Sequence, residues 1–178
     1  MLELSHLIWL FLVVFMFHDF EEIVMVEGWV RAKKDIIRRA VPKLLMKMLE
    51  PSLSMNTAQF AVAVSCIFAV LSVAVILTVT TLSSGTYLPF FLVCLHVMFL
   101  HVFIHVGHTV VLRTYTPGVV TAVVFVLPYS LYTYDRLLEA GLVTWPLLWS
   151  TLPYSLLIIP VLYGAHRIGE AAGKMIPR

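Results

Sequence analysis

Charged side chains are scarce in this sequence, and long segments lack them entirely. Only 12% of the 178 residues are Asp, Glu, Lys or Arg, against roughly 25% in a typical soluble domain. None of these residues occurs between Glu50 and Arg113, between Arg113 and Asp135, or between Glu139 and Arg167. Crossing a hydrocarbon layer takes about 20 apolar residues, so these segments favour a membrane protein over a soluble domain with an unusually apolar core.

Cysteine is almost absent, and no basic residue precedes the first apolar segment. Cys66 and Cys94 lie in separate apolar segments without C-x-x-C spacing, so we predict no disulfide framework. No Lys or Arg occurs before Arg31. A cleavable signal peptide begins with a basic region, so we predict none here.

The apolar segments predict an all-α membrane protein that forms a single transmembrane domain over residues 1–178, a bundle of about five helices. The predicted spans cover about residues 4–29, 57–82, 87–112, 117–134 and 142–168. Over residues 31–49, apolar residues recur at helical spacing among basic ones. This pattern predicts an amphipathic helix on the cytoplasmic leaflet, where a lipid substrate could enter, or else a plain basic connector.

The positions of Lys and Arg predict how the spans are oriented. With five spans, Arg136 is the only one of the 12 Lys and Arg residues that lies on the side opposite the first loop and the C-terminal tail. Basic loops remain in the cytoplasm. We therefore expect a protein of the cytoplasmic (inner) membrane, with its N-terminus outside and its C-terminus in the cytoplasm.

Ionisable residues inside the first apolar segment are the strongest functional signal. The run His18-Asp19-Phe20-Glu21-Glu22 places three acids and a histidine where each costs a few kcal/mol, so a functional site is the default interpretation. Offsets of three and four residues place His18, Glu21 and Glu22 on one helical face. Asp19 points about 100° away and is the weakest candidate of the four.

The third predicted span carries a second polar face. His101, His105 and His108 recur at i, i+4 and i+7, and Cys94 falls on the same stripe, whereas His96 lies nearly opposite. At 1.5 Å per residue, this face and the first polar run both lie at least about 20 Å from the outer surface. The shared depth predicts that the two faces line one polar site in the cytoplasmic half of the membrane.

Imidazole and carboxylate groups in this combination suit a divalent transition metal. The predicted ligands are His18, Glu22, His101, His105 and His108, with zinc the leading candidate and iron the alternative. Glu21 or Glu22 is the predicted catalytic base. The same residues could instead relay protons or bond neighbouring helices to one another.

The motif and its surroundings resemble a known family. His18 to Glu22 have the form H-x-x-E-E, and the later histidines are followed by the run from Tyr115 through Pro117-Gly118 to Ala122. Together they resemble the HXXEE-domain family of small prokaryotic membrane proteins, over roughly residues 6–165. The resemblance implies a metal-binding membrane protein and supplies no substrate.

Three residues near the cytoplasmic surface are candidates for substrate or metal binding. Arg113 and Tyr115 are predicted to bind the substrate, because arginine pairs well with an anionic head group. Arg113 could equally be a simple orientation charge. His166 lies at a similar depth and is a weaker candidate for a further ligand.

The most direct functional hypothesis is a metal-dependent membrane hydrolase that acts on a lipid or isoprenoid-linked substrate. Two alternatives are a di-iron lipid oxygenase or desaturase and a proton-coupled or metal transporter. The expected partners are membrane lipids and a lipid-soluble substrate, with a homodimer as a further alternative. No nucleic-acid partner is expected.

Overall fold

The chain is built from helices alone over residues 3–40, 42, 46 and 53–173, the part that the computed structural model describes. Among these residues, α1 covers Leu4–Ala40, α2 covers Thr57–Thr80 and α3 covers Leu88–Leu112. The fourth helix, α4, covers residues 119–139, and α5 covers Trp145–Ala172. The all-α prediction is confirmed, and most helix ends lie within a few residues of the predicted ones.

The end of α1 differs from the prediction. We predicted a break after residue 29, but α1 continues for 37 residues to Ala40, and no proline interrupts it before Pro42. Residues 31–40 are therefore part of α1 rather than of a separate amphipathic helix. Residues 41, 43–45 and 47–52 lie outside the described part of the chain, so the prediction for the rest of that segment is not addressed.

Three of the described helices, α2, α3 and α5, are long and apolar enough to cross a membrane. The other two carry charge within their length, in the H-x-x-E-E run of α1 and at Asp135 and Arg136 of α4. Large apolar side chains such as Phe103, Trp149 and Tyr163 are exposed on the outside of the bundle. Apolar surfaces of this extent are typical of proteins that face lipid.

The central helix is α3, which contacts each of the other four described helices. In the core, Phe11 of α1 and Phe91 of α3 meet edge to face with ring centroids 5.4 Å apart. The buried stripe of α1 consists of residues spaced by one, three or four positions: Leu7, Ile8, Phe11, Val14, Phe15, His18 and Asp19. This stripe carries the polar motif directly into the interior of the bundle.

Polar side chains connect the helices at two further points. His96 of α3 bonds the Tyr134 hydroxyl at 2.6 Å and the Thr151 hydroxyl at 3.0 Å, and so links α3 to α4 and α5. A Glu27 oxygen of α1 accepts hydrogen bonds of 2.7 Å from both the amide and the hydroxyl of Thr57, at the start of α2. His96 thus has a structural role separate from that of the other histidines of α3.

The fourth helix changes its geometry beside the polar motif. It is α-helical over Val119–Thr121, π-helical over Ala122–Val126 and α-helical again over Leu127–Glu139. Pro128 follows the π-helical turn and cannot donate a backbone hydrogen bond, which accounts for the wider turn before it. Turns of this kind occur often at functional sites, and here the turn begins next to Thr121.

Candidate metal centre

Four side chains of α1 and α3 converge on one point. They are His18, Glu22, His101 and His105, named here the His/Glu group, and each offers one ligand atom within 4.8 Å of the others. The Nε2 atom of His105 lies 2.7 Å from Nε2 of His101 and 3.1 Å from Oε1 of Glu22. Ligands around a tetrahedral zinc ion, with bonds of about 2.0–2.1 Å, stand about 3.4 Å apart. The separations within the group, from 2.7 Å up to 4.8 Å, lie on both sides of this value, so the group could hold a single ion.

Helical periodicity accounts for how the group is assembled. His18 and Glu22 are four residues apart on α1, and His101 and His105 are four residues apart on α3, so each helix presents two ligands on one face. His18 and His105 are buried, with 1% and 5% of their surface exposed. The Glu22 side chain is 16% exposed. The group is thus largely enclosed by protein but open on one side.

The hydrogen bonds of His18 fix which ring nitrogen faces the group. Its Nδ1 lies 3.0 Å from the Thr121 hydroxyl, which itself lies 2.6 Å from Oε2 of Glu21. The ionised carboxylate can only accept, so the single hydroxyl proton goes to Glu21 and the hydroxyl oxygen accepts from Nδ1–H of His18. The buried Nε2 of His18 has no hydrogen-bond partner among the described residues, and its lone pair remains available for a cation.

Glu21 lies outside the His/Glu group, so the prediction that it acts as catalytic base is not supported by its contacts. Its carboxylate accepts hydrogen bonds from the Thr121 amide at 2.8 Å and from the Tyr115 hydroxyl at 2.5 Å. Burial, and then the hydrogen bond to Glu21, raise the pKa of Tyr115 to about 12, so this phenol stays protonated as a donor. Glu21 instead bonds the Thr121 hydroxyl, which lies beside Nδ1 of His18, and carboxylates with this kind of contact commonly orient metal-binding histidines.

The connection between α3 and α4 packs directly on the group. Gly118 has a left-handed backbone with φ of +86°, and a Cβ atom there would lie 2.5 Å from Cε1 of His105 and 2.9 Å from Oε1 of Glu22. The connection is held to α1 because the Trp29 indole N–H donates to the Tyr115 carbonyl. The Pro-Gly element therefore forms one wall of the site.

Several of the residues predicted from the sequence lie elsewhere. His108 is exposed, and Cys94 is buried, and neither belongs to the His/Glu group. Arg113 is exposed at the end of α3 and lines neither of the two cavities described below. The Tyr115 hydroxyl is bonded to Glu21. The geometry thus gives no support to His108 as a ligand or to Arg113 as a substrate-binding residue.

A cavity of about 330 Å³ adjoins the group between α1, α2, α3 and α5. Most of its lining is apolar, including Phe15, Phe60, Ile67, Met98 and Leu162. Its polar lining comprises three members of the His/Glu group together with Asp19, Glu27 and His166. This apolar cavity has the size and the mainly apolar lining typical of small-molecule sites, with a few polar groups to orient a ligand.

Asp19, the weakest of the four candidates in the first polar run, lies beside the His/Glu group. It is only 6% exposed, lines the apolar cavity, and its Oδ2 atom has no hydrogen-bond partner within the described part of the chain. Helical spacing indicates the burial of Asp19, because this residue continues the buried stripe of α1 four residues after Phe15. The angle from His18 alone did not show that both residues face the interior.

We expect Thr121→Val to weaken zinc binding by about 10- to 100-fold, the usual cost of losing an outer partner of a metal-binding histidine. The change removes the hydroxyl that holds Nδ1 of His18 while the Thr121 amide still bonds Glu21. Affinity is measured by competition with a chelating indicator. Thr80→Val is the control, because the Thr80 hydroxyl bonds only carbonyls of its own helix. Equal affinities in the two variants would contradict the positioning role.

Comparison with known families identifies the family of the chain. A family model described as a protein of unknown function with an HXXEE motif matches residues 9–133. The chain belongs to the HXXEE family. The matched region contains the whole His/Glu group, with Thr121 and Gly118 beside it. No curated protein and no solved structure matches the chain.

Proposed function

We propose that this HXXEE protein is an intramembrane metal-dependent hydrolase that acts on a lipid or isoprenoid-linked ester near the cytoplasmic leaflet. The observation that carries the proposal is the convergence of four ligand atoms within 4.8 Å at the wall of an apolar cavity. A site for a closed structural ion would need no such cavity.

The roles of the residues follow from their contacts. His18, His101 and His105 hold the ion through imidazole nitrogens, and Glu22 completes the set. When bound, a divalent ion polarises a carbonyl or phosphoryl oxygen and makes water more acidic. Asp19, with an oxygen free of hydrogen bonds beside the cavity, accepts a proton from the attacking water. It then returns that proton to the departing alcohol, so that water is consumed and an acid and an alcohol are formed.

The proposed arrangement in the membrane has five spans, with α1 and α4 joining the three more apolar helices. The buried polar residues of α1, His18 and Asp19, are compatible with a membrane span, because they face the interior of the bundle and not lipid. The excess of Lys and Arg on one side supports an external N-terminus and a cytoplasmic C-terminus in the inner membrane.

The proposal is tested by the metal content of protein purified in detergent without chelators. We expect one zinc ion per chain, measured by mass spectrometry beside a protein assay. Ester-linked lipids then serve as substrates, with Asp19→Asn expected to keep the ion and lose turnover.

Other metal contents would identify the alternatives. Two irons per chain would favour the oxygenase or desaturase, although four ligand atoms in one small group suit a single ion. An absence of metal in the wild-type protein would overturn the hydrolase and leave a proton path or a transporter, which flux measurements in liposomes would detect.

A further inference from the structure

A second cavity, of about 280 Å³, lies along the C-terminal half of α1 and differs in charge from the first. Arg31, Lys34 and Arg38 contribute to its lining, and Glu27 is its one acidic residue among the described part of the chain. Glu27 is already engaged by Thr57 and by Arg31, whose guanidinium lies 2.8 Å from a Glu27 oxygen. This basic cavity therefore keeps an excess of positive charge at Lys34 and Arg38.

The two cavities adjoin each other. Both are lined by Glu27, Val30, Leu53 and Met55, so the two cavities lie side by side along α1. Lys34 lies 12 residues beyond Glu22, or about 18 Å along the helix axis. The first cavity is therefore apolar beside the His/Glu group, and the second presents cationic side chains further along α1.

We propose that the basic cavity binds the acidic head group of a single-chain anionic amphiphile whose chain lies in the apolar cavity. Arg31, Lys34 and Arg38 supply charge-assisted hydrogen bonds to a carboxylate or phosphate. Ester hydrolysis forms the acidic group of such a molecule at the His/Glu group, and the released product then binds with its head group in the basic cavity, about 18 Å further along α1. The assignment of the ligand as the product rests on the proposed function, whereas the binding site itself does not.

Binding of palmitate, hexadecyl phosphate and hexadecanol to the full-length protein in nanodiscs tests the head-group site. Lys34→Gln/Arg38→Gln should weaken binding of an anionic ligand by about tenfold or more and leave hexadecanol unchanged. Lys33→Gln/Arg39→Gln is the matched control, because it removes the same charge from the same helix at residues that line neither cavity. A stronger effect on palmitate or on hexadecyl phosphate tells whether the head is a carboxylate or a phosphate.

The role of the apolar cavity is tested by a bulky substitution in its lining. Leu162→Trp should reduce binding of palmitate and hexadecanol alike, since Leu162 lines the apolar cavity. Ile159→Trp, at an exposed position of the same helix outside that lining, should leave both unchanged.

Equal losses in the two charge variants would mean that anions respond only to the general charge of the surface, and would overturn the proposal. So would palmitate binding that Leu162→Trp leaves unchanged. Failure of the proposed function has a different signature, because palmitate would still bind in a Lys34- and Arg38-dependent way while the purified protein contained no metal.

Discussion

Replacing His105 with alanine will abolish stoichiometric metal binding, whereas replacing His108 will not. His105 is buried at the centre of the His/Glu group, with its Nε2 atom 2.7 Å from His101 and 3.1 Å from Glu22. His108 is exposed one turn further along α3 and offers no ligand atom to the group. Even outer partners of ligands cost 10- to 100-fold in affinity, so loss of this ligand should cost more than about 100-fold.

The measurement is metal content per chain, followed by a chelator competition for any variant that retains metal. His101→Ala serves as a second test, because its side chain is 37% exposed and its loss leaves a smaller gap in the core than loss of His105. Near-normal helicity by circular dichroism shows that a variant is folded. A His105→Ala protein that keeps a full equivalent of zinc, or a His108→Ala protein that loses it, would contradict the assigned ligand set.

Helical periodicity and depth were sufficient to predict which faces of α1 and α3 meet. The i, i+4 spacing within each helix is fixed by the backbone, and a polar face cannot remain in contact with lipid at low cost. His18, Glu22, His101 and His105 do lie together. This prediction does not depend on the loops, because two polar faces at the same depth leave contact with lipid most readily by packing against each other.

The sequence could not assign roles within each face. Glu21 lies on the predicted face but turns to Thr121 and Tyr115, and this follows from how the connection before α4 folds back onto α1. Asp19 is the weakest candidate by its position about 100° around the helix from His18. It is nevertheless buried, because α1 is surrounded by other helices on more than one side. Such distinctions depend on tertiary packing, which the periodicity of one helix does not contain.

The continuation of α1 differs from the prediction for a related reason. Charge marks where hydrocarbon ends, so the sequence predicts that the first helix ends at about residue 29, before Arg31. Charged residues such as Arg and Lys are good helix formers in water, and no Gly or Pro occurs between Gly28 and Pro42. A membrane boundary and a helix boundary are thus different quantities, and the basic cavity lies on the part of α1 between them.

Gly118→Ala should disrupt metal binding nearly as strongly as loss of a ligand. The new Cβ would lie 2.5 Å from Cε1 of His105 and 2.9 Å from Oε1 of Glu22, and contacts of a Cβ atom below 3.0 Å essentially do not occur in proteins. His105 and Glu22 would have to move apart from the positions that bring their ligand atoms together. The left-handed backbone at Gly118, with φ of +86°, adds about 1–2 kcal/mol of strain for any residue with a Cβ atom.

Gly85→Ala separates the strain of a left-handed backbone from the steric contact of the new Cβ atom with His105 and Glu22. Gly85 also has a left-handed backbone, with φ of +67°, but no atom of the described residues lies within 4 Å of the position of its Cβ. We expect Gly85→Ala to lower the thermal midpoint slightly and to bind zinc normally. We expect Gly118→Ala to bind zinc at least about 100-fold more weakly. Removal of an outer partner of a ligand costs up to about this much. Zinc titration gives the zinc affinity of both variants, and thermal unfolding gives their stability. Equal zinc affinity in the two proteins would mean that the connection before α4 yields to the methyl group, and that Gly118 does not form a rigid wall of the site.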